Sequence, residues 1–351
     1  MDIKMWHYFL FFLKMNAIIH VFSRYKVVAN SISTIIYGVG RRLKAVLMTI
    51  AVLSAQEVMA QYDVVFSHYY DMEPSFNPAA VGKDKKLNIR AAYAMDLAGF
   101  EHNPQTAYLG ADMPFRFLNA THGAGIQFVN DKLGLFNHTR LSLQYANKQR
   151  LFGGTLSVGL QLAMLAESFD GSDLDLEESS DPAFSSSQIN GNAFDISAGL
   201  YYTWKDLYVG LSAKHLTAPK VELGELNELK VSAAYYATAG YTIKLRNPMM
   251  TVKTSALART DGVMTRADFT ARLIYTTEKK RFYGGLSYSP TNSVTALLGM
   301  DIQGIHVGYS YECYTSGLNP GNGSHELFVA YQMDLNIVKK GKNLHKSVRF
   351  L

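Results

Sequence analysis

One cysteine, Cys313, stands in a chain of 351 residues. A lone thiol excludes an intramolecular disulfide framework and any multi-cysteine metal site, and Cys313 reads as a small packed side chain rather than a nucleophile. Proline is scarce at 9 residues, and 48% hydrophobic content is ample for one large ordered domain. A clustered surplus of one charge is missing as well. The formal net charge is +5, but Lys4, Lys14, Arg24, Lys26, Arg41, Arg42 and Lys44, set against Asp2 and Glu57, place all of it before residue 61. The remainder balances, so the basic surface that a phosphate backbone requires is absent and no nucleic-acid partner is expected.

Signatures of chemistry are also missing. There is no G-x-S-x-G, H-E-x-x-H or glycine-rich phosphate loop. His325-Glu326 starts like a zinc-helix motif but lacks the second histidine and sits at a strand start. Glu167, Asp170, Asp173, Asp175, Glu177, Glu178 and Asp181 offer oxygens suited to a hard cation. Without EF-hand spacing they read as a solvated loop. His122, His138, His215 and His306 read as pore-lining or rim residues. No enzyme, metal site or cofactor is expected.

No hydrophobic run reaches the roughly 20 residues of a membrane-spanning helix. The longest candidate, AVLMTIAVLSA (45–55), follows Arg41-Arg42-Leu43-Lys44 and precedes Val58-Met59-Ala60. That order of basic, apolar and small residues predicts a signal peptide at 41–60, cleaved after Ala60. Residues 1–40 then read as an over-extended start outside the mature protein, with an extra membrane anchor as the alternative.

What the sequence does contain, from about residue 87 to 335, is alternation with a period of two. In IHVGYSYECY (305–314), Ile305, Val307, Tyr309 and Tyr311 share one face, and His306, Gly308, Ser310 and Glu312 share the other. TLSVGLQLAM (155–164) and AFDISAGLYYTW (193–204) repeat the pattern, with one face suited to lipid and the other to water. About fourteen such segments are legible, starting near Asn88, Thr106, Gly123, His138, Thr155, Phe194, Leu207, Val231, Thr251, Arg266, Phe282, Val294, Ile305 and Glu326. At about ten residues each, they match tilted strands crossing a bilayer rather than the five or six of soluble sheets. The expected fold is all-β, a transmembrane antiparallel β-barrel of about 14 strands in the bacterial outer membrane. Closure is required because an open sheet edge in lipid costs several kcal/mol per unpaired backbone group.

Connection lengths follow strand parity, with short turns such as Lys205-Asp206 and Gln303-Gly304 at one end and long stretches such as 167–192, 217–230 and 315–324 at the other. Short turns belong to the periplasm and long loops to the outside, so both termini are expected in the periplasm. Thr260-Asp261-Gly262 and Pro290-Thr291-Asn292 break the rule. Tyr108, Tyr202, Trp204, Tyr241, Tyr275, Tyr283 and Tyr331, near segment ends, suit interfacial aromatic girdles, or simply the preference of tyrosine for sheets. The tail, 336–351, carries Lys339, Lys340, Lys342, Lys346 and Arg349 without an acid. It reads as a basic periplasmic contact or as a solvated terminus.

SHYYDMEPSFNPAAVG (67–82) fits neither leader nor alternation. Phe76-Asn77-Pro78-Ala79-Ala80 with Gly82, then Gly99-Phe100, Pro104-Gln105-Thr106 and Lys132-Leu133-Gly134-Leu135-Phe136, occur in an order that resembles the PorP/SprF family of type IX secretion system membrane proteins. The later pieces are Gly317-Leu318-Asn319-Pro320-Gly321-Asn322-Gly323-Ser324-His325-Glu326 and Arg349-Phe350. Ala98 and His102 depart from the family pattern. The resemblance implies an outer-membrane barrel associated with protein export and, in some members, with display of gliding adhesins. It implies no catalytic residues. Expected partners are outer-membrane lipid, periplasmic and outer-membrane secretion components, and an exported surface protein. A passive or substrate-specific porin is the competing class.

Proline fixes its own backbone, biases Asn77 away from helix, and Gly82 takes angles closed to other residues. Residues 61–86 are therefore expected either as an ordered periplasmic arm across or inside the barrel mouth, anchored by Tyr69, Tyr70 and Phe76, or as an ordinary turn into the first strand. With Asn77, Pro78, Gly82, Asn319, Pro320, His325, Glu326 and the tail cations, these are the candidate partner-binding residues.

Overall fold

A computed structural model describes residues 63–170, 189–223, 227–278, 280–290, 292–315 and 322–335. The segments 1–40 and 41–60, Asn319, Pro320, most of the acidic stretch and the basic tail lie outside the described residues.

Alternation becomes wall. Strands β1 (Lys86–Met95), β2 (Gln105–Phe117), β3 (Ala120–Leu133), β4 (Phe136–Leu151), β5 (Gly154–Phe169), β6 (Ile189–Trp204) and β7 (Leu207–Lys214) are successive antiparallel neighbours. A separate small hairpin follows, β8 (Lys220–Leu223) with β9 (Asn227–Lys230). The wall resumes with β10 (Ala234–Lys244), β11 (Met250–Thr260), β12 (Thr265–Thr276), β13 (Lys280–Ser289), β14 (Ser293–Ile302), β15 (Ile305–Tyr314) and β16 (Ser324–Asp334). β10 pairs with β7, and β16 pairs with β1 from Lys86↔Asp334 to Met95↔His325, closing a ring of 14 strands. No strand of this ring has a free edge, as hydrocarbon surroundings require.

The two faces are inverted relative to a soluble protein. Leu141, Leu143, Leu160, Leu162, Leu211, Leu286 and Leu298 are exposed on the outside, whereas Arg90, Asp112, Gln127, Gln144, Gln161 and Asp195 are buried within. An outer band of this kind suits lipid, and the core of the molecule is the lumen.

Several expectations need correction. β3 to β6 run to 14 or 16 residues, well beyond ten. β6 begins at Ile189 rather than Phe194, and β10 at Ala234 rather than Val231, because the Val231 N–H bonds Pro219 O at 2.9 Å instead of a strand neighbour. Residues 217–230 are more than a connection, since Val221 and Leu223 of β8 are buried against β5 and β6. Tyr108 and Tyr283 do not belong to a girdle: both point inward, where Phe66 and His306 pack on them. Trp204, Tyr241, Tyr275 and Tyr331 are exposed on the outside. The connections after β2, β4, β6, β10, β12 and β14 share a short-turn end, and the longer ones after β1, β5, β7 and β15 share the opposite, long-connection end with the short connections after β3, β11 and β13.

Candidate functional site

The lumen is filled by the chain's own residues 63–82. Near the long-connection end, Asp63 accepts hydrogen bonds from Arg140 Nη1 at 2.9 Å, Lys214 Nζ at 2.7 Å and Tyr236 OH at 2.5 Å. One carboxylate thus ties together β4, β7 and β10. His215 lies 3.6 Å away and reaches Asp195 on β6 at 3.0 Å. Buried charges of this kind are tolerable only when paired and hydrogen-bonded.

The segment then descends toward the short-turn end while touching the wall on all sides. Glu326 of β16 accepts from the backbone N–H groups of Ser67 (2.5 Å) and His68 (3.1 Å) and lies 2.6 Å from His68 Nδ1. The His68 ring stacks on Phe328 with centroids 5.4 Å apart. Tyr69 OH donates to Thr270 Oγ1 at 3.0 Å or Ser255 Oγ at 3.2 Å. Arg272 lies 3.2 Å above the Tyr70 ring and 3.3 Å from Asp71. Glu73 accepts from Tyr201 OH at 2.9 Å and pairs with Lys83.

Local sequence makes the compact shape. Pro74 and Pro78 open the 3-10 turns Glu73–Ser75 and Pro78–Ala80, where a missing N–H costs nothing. Asn77 caps the second: its Oδ1 accepts from Ala79 N–H at 2.9 Å, and its Nδ2 donates to Leu200 O on β6 at 3.0 Å. Gln144 Nε2 and Ser212 Oγ donate to the carbonyls of Pro74 and Phe76, each at 2.7 Å. Gly82 has φ +61°, a left-handed conformation that turns the chain into β1, and its N–H reaches Asp112 Oδ2 at 2.7 Å.

The wall is shaped to receive these turns. A Cβ on Gly159 would stand 2.3 Å from Ala79 N, and one on Gly199 would stand 2.1 Å from Asn77 Oδ1. Glycine normally weakens a strand interior; here its missing side chain lets another backbone approach.

A family model described as type IX secretion system membrane protein PorP/SprF matches residues 58–331. The chain belongs to the PorP/SprF family. Among solved structures, the CymD monoaromatic hydrocarbon channel is similar at 11% identity, covering 79% of this chain and 95% of CymD with a TM-score of 0.46. BamA from Haemophilus ducreyi lacking POTRA domains 1–3 is similar at 8% identity, covering 70% of each chain with a TM-score of 0.40. No curated protein matches the chain. Family and fold together make this an outer-membrane β-barrel of type IX secretion.

Of the residues singled out in sequence, this PorP/SprF chain brings Tyr69, Tyr70, Phe76, Asn77, Pro78, Gly82 and Glu326 together inside the lumen, all buried. His325 is separated from them: it lies on the outer side, with its Nδ1 2.6 Å from Tyr309 OH. Lys339, Lys340, Lys342, Lys346 and Arg349, like Asn319 and Pro320, are outside the described residues. Sequence reasoning missed Asp63 and its partners Arg140, Lys214 and Tyr236. A signal existed in the inward glycines, since Gly123, Gly159, Gly199 and Gly210 interrupt strands at positions where the polar face is expected.

Proposed function

We propose that the protein is a non-enzymatic scaffold of type IX secretion. It anchors periplasmic machinery at its short-turn end and engages exported surface proteins, gliding adhesins among them, at its long connections. The observation that carries this over a porin is the lumen itself. A diffusion pore needs a continuous aqueous path, whereas His68, Met72, Asn77, Ala79, Ala80 and Val81 are all at 0% exposure within the ring. Short turns face the periplasm in barrels of this kind, so this reading puts Gly82 and the C-terminal residue of β16, Asp334, on that side. The long-connection ends of β5 and β7 then point away from the periplasm. Family membership supports the secretion assignment.

Planar-bilayer recording on the purified full-length protein tests the scaffold against the porin. Quiet membranes are expected, with currents only after removal of residues 67–82. Large steady currents from the intact protein would favour the porin. Comparing a deletion strain with its parent for total secreted protein and for individual surface proteins separates general export from service to one cargo. Copurification with and without residues 336–351 tests the basic tail.

A further inference from the structure

Beneath the packed segment, toward the short-turn end, lies a polar vestibule of about 510 Å³, within the size range of ligand pockets. Most of its carboxylates are already matched. Asp301 lies 2.6 Å from Arg281, Asp334 lies 3.6 Å from Lys86, and Glu73 pairs with Lys83. A different arrangement holds at the β11–β12 wall. Lys253 stands directly opposite Arg272 in the strand register, and both line the vestibule. Like charges so placed repel. Asp71 is the carboxylate that faces them; it is 3.3 Å from Arg272, 3.7 Å from His306, and beyond ion-pair distance of Lys253. Among the described residues, no hydrogen bond or ion pair engages the Lys253 ammonium. Arg272 Nε and His306 Nε2 are buried and carry no hydrogen bond.

The unpartnered Lys253 ammonium therefore stands beside Arg272 and His306 on the cavity wall, where Asp71 is the carboxylate nearest them and Asp84 also lines the vestibule. A free ammonium next to a guanidinium selects an oxyanion, and charge-assisted hydrogen bonds to it are about twice as strong as neutral ones. We infer that the vestibule binds a carboxylate presented from the short-turn end, an acidic side chain or the C-terminus of a peptide, clamped between Lys253 and Arg272. Lys253 is the specificity element, because Arg272 is also committed to Tyr70 and Asp71 of the packed segment. The inference rests on the partner-binding reading only for the source of the carboxylate.

The test uses the full-length protein in detergent and calorimetric titration with three probes: the peptide Asp-Glu-Asp-Glu, its uncharged counterpart Asn-Gln-Asn-Gln with an amidated end, and glutarate. The acidic peptide is expected to bind, and Lys253→Met to weaken it at least tenfold without changing the heat-modifiable migration of the folded barrel. Lys253→Arg should restore binding. Glutarate binding as tightly as the peptide would support the site and assign its carboxylate to a free acid; peptide binding alone supports a protein source. Equal binding of the uncharged peptide, absence of binding by both acidic probes, or full binding by Lys253→Met would overturn the inference. Copurification of secretion components from cells tests the scaffold reading separately, since peptide binding is read on the isolated barrel.

Discussion

On β5, Gly159 and Leu160 are neighbours in the chain and answer to opposite constraints. Gly159 faces a backbone 2.3 Å from where its Cβ would be, whereas Leu160 is 55% exposed on the outer face of the ring. The contrast holds around the ring. Outer positions need only be apolar, because lipid tails adapt to any shape. Inner positions meet a fixed partner and must match it in volume, hydrogen bonding and charge.

Gly159→Leu should break this contrast most severely. Its side chain must displace Ala79, so residues 63–82 should leave the lumen. A bilayer current and new protease cleavage near residue 79 would report this; a silent, resistant variant would count against the tight fit. Asp63→Ala comes next, stranding the Lys214 and Arg140 cations without their carboxylate at a cost of about 3–5 kcal/mol. Urea unfolding of the barrel should shift accordingly. Asn77→Ala removes a cap and the donor to Leu200 O, which should cost about 1–3 kcal/mol by the same assay. Leu160→Val, on the outer face, should change the unfolding free energy by about 0.5 kcal/mol or less. A larger loss there would sharpen the view that the outer face has a specific protein neighbour.

How much of this was legible from sequence divides along the same two faces. The wall was readable because hydrocarbon imposes a strict period of two, visible in Leu156, Val158, Leu160, Leu162 and Met164. Strand ends were less so: the outer portions of β6 extend past the apolar band, and Ile189 to Ala193 lack a strong alternating pattern. Tyr108 and Tyr283 were misplaced because tyrosine suits an interface and a polar core equally well. For the lumen, composition near 67–82 marked an unusual segment, but its contacts join residues more than a hundred positions apart, such as Tyr69 with Thr270. No local pattern encodes such pairings. Lys253 was invisible for the same reason, since one lysine on a polar face has no signature until Arg272 is found opposite.

The seam between β1 and β16 has a further consequence. Among the described residues, 63–82 precede every strand, yet they end up encircled by the fourteen strands of the ring, which closes where β16 meets β1. The same seam, Lys86 through Met95 paired with Asp334 through His325, therefore both closes the wall and fixes the end of the segment that enters β1. Once joined, the molecule is a ring tied around a length of its own chain.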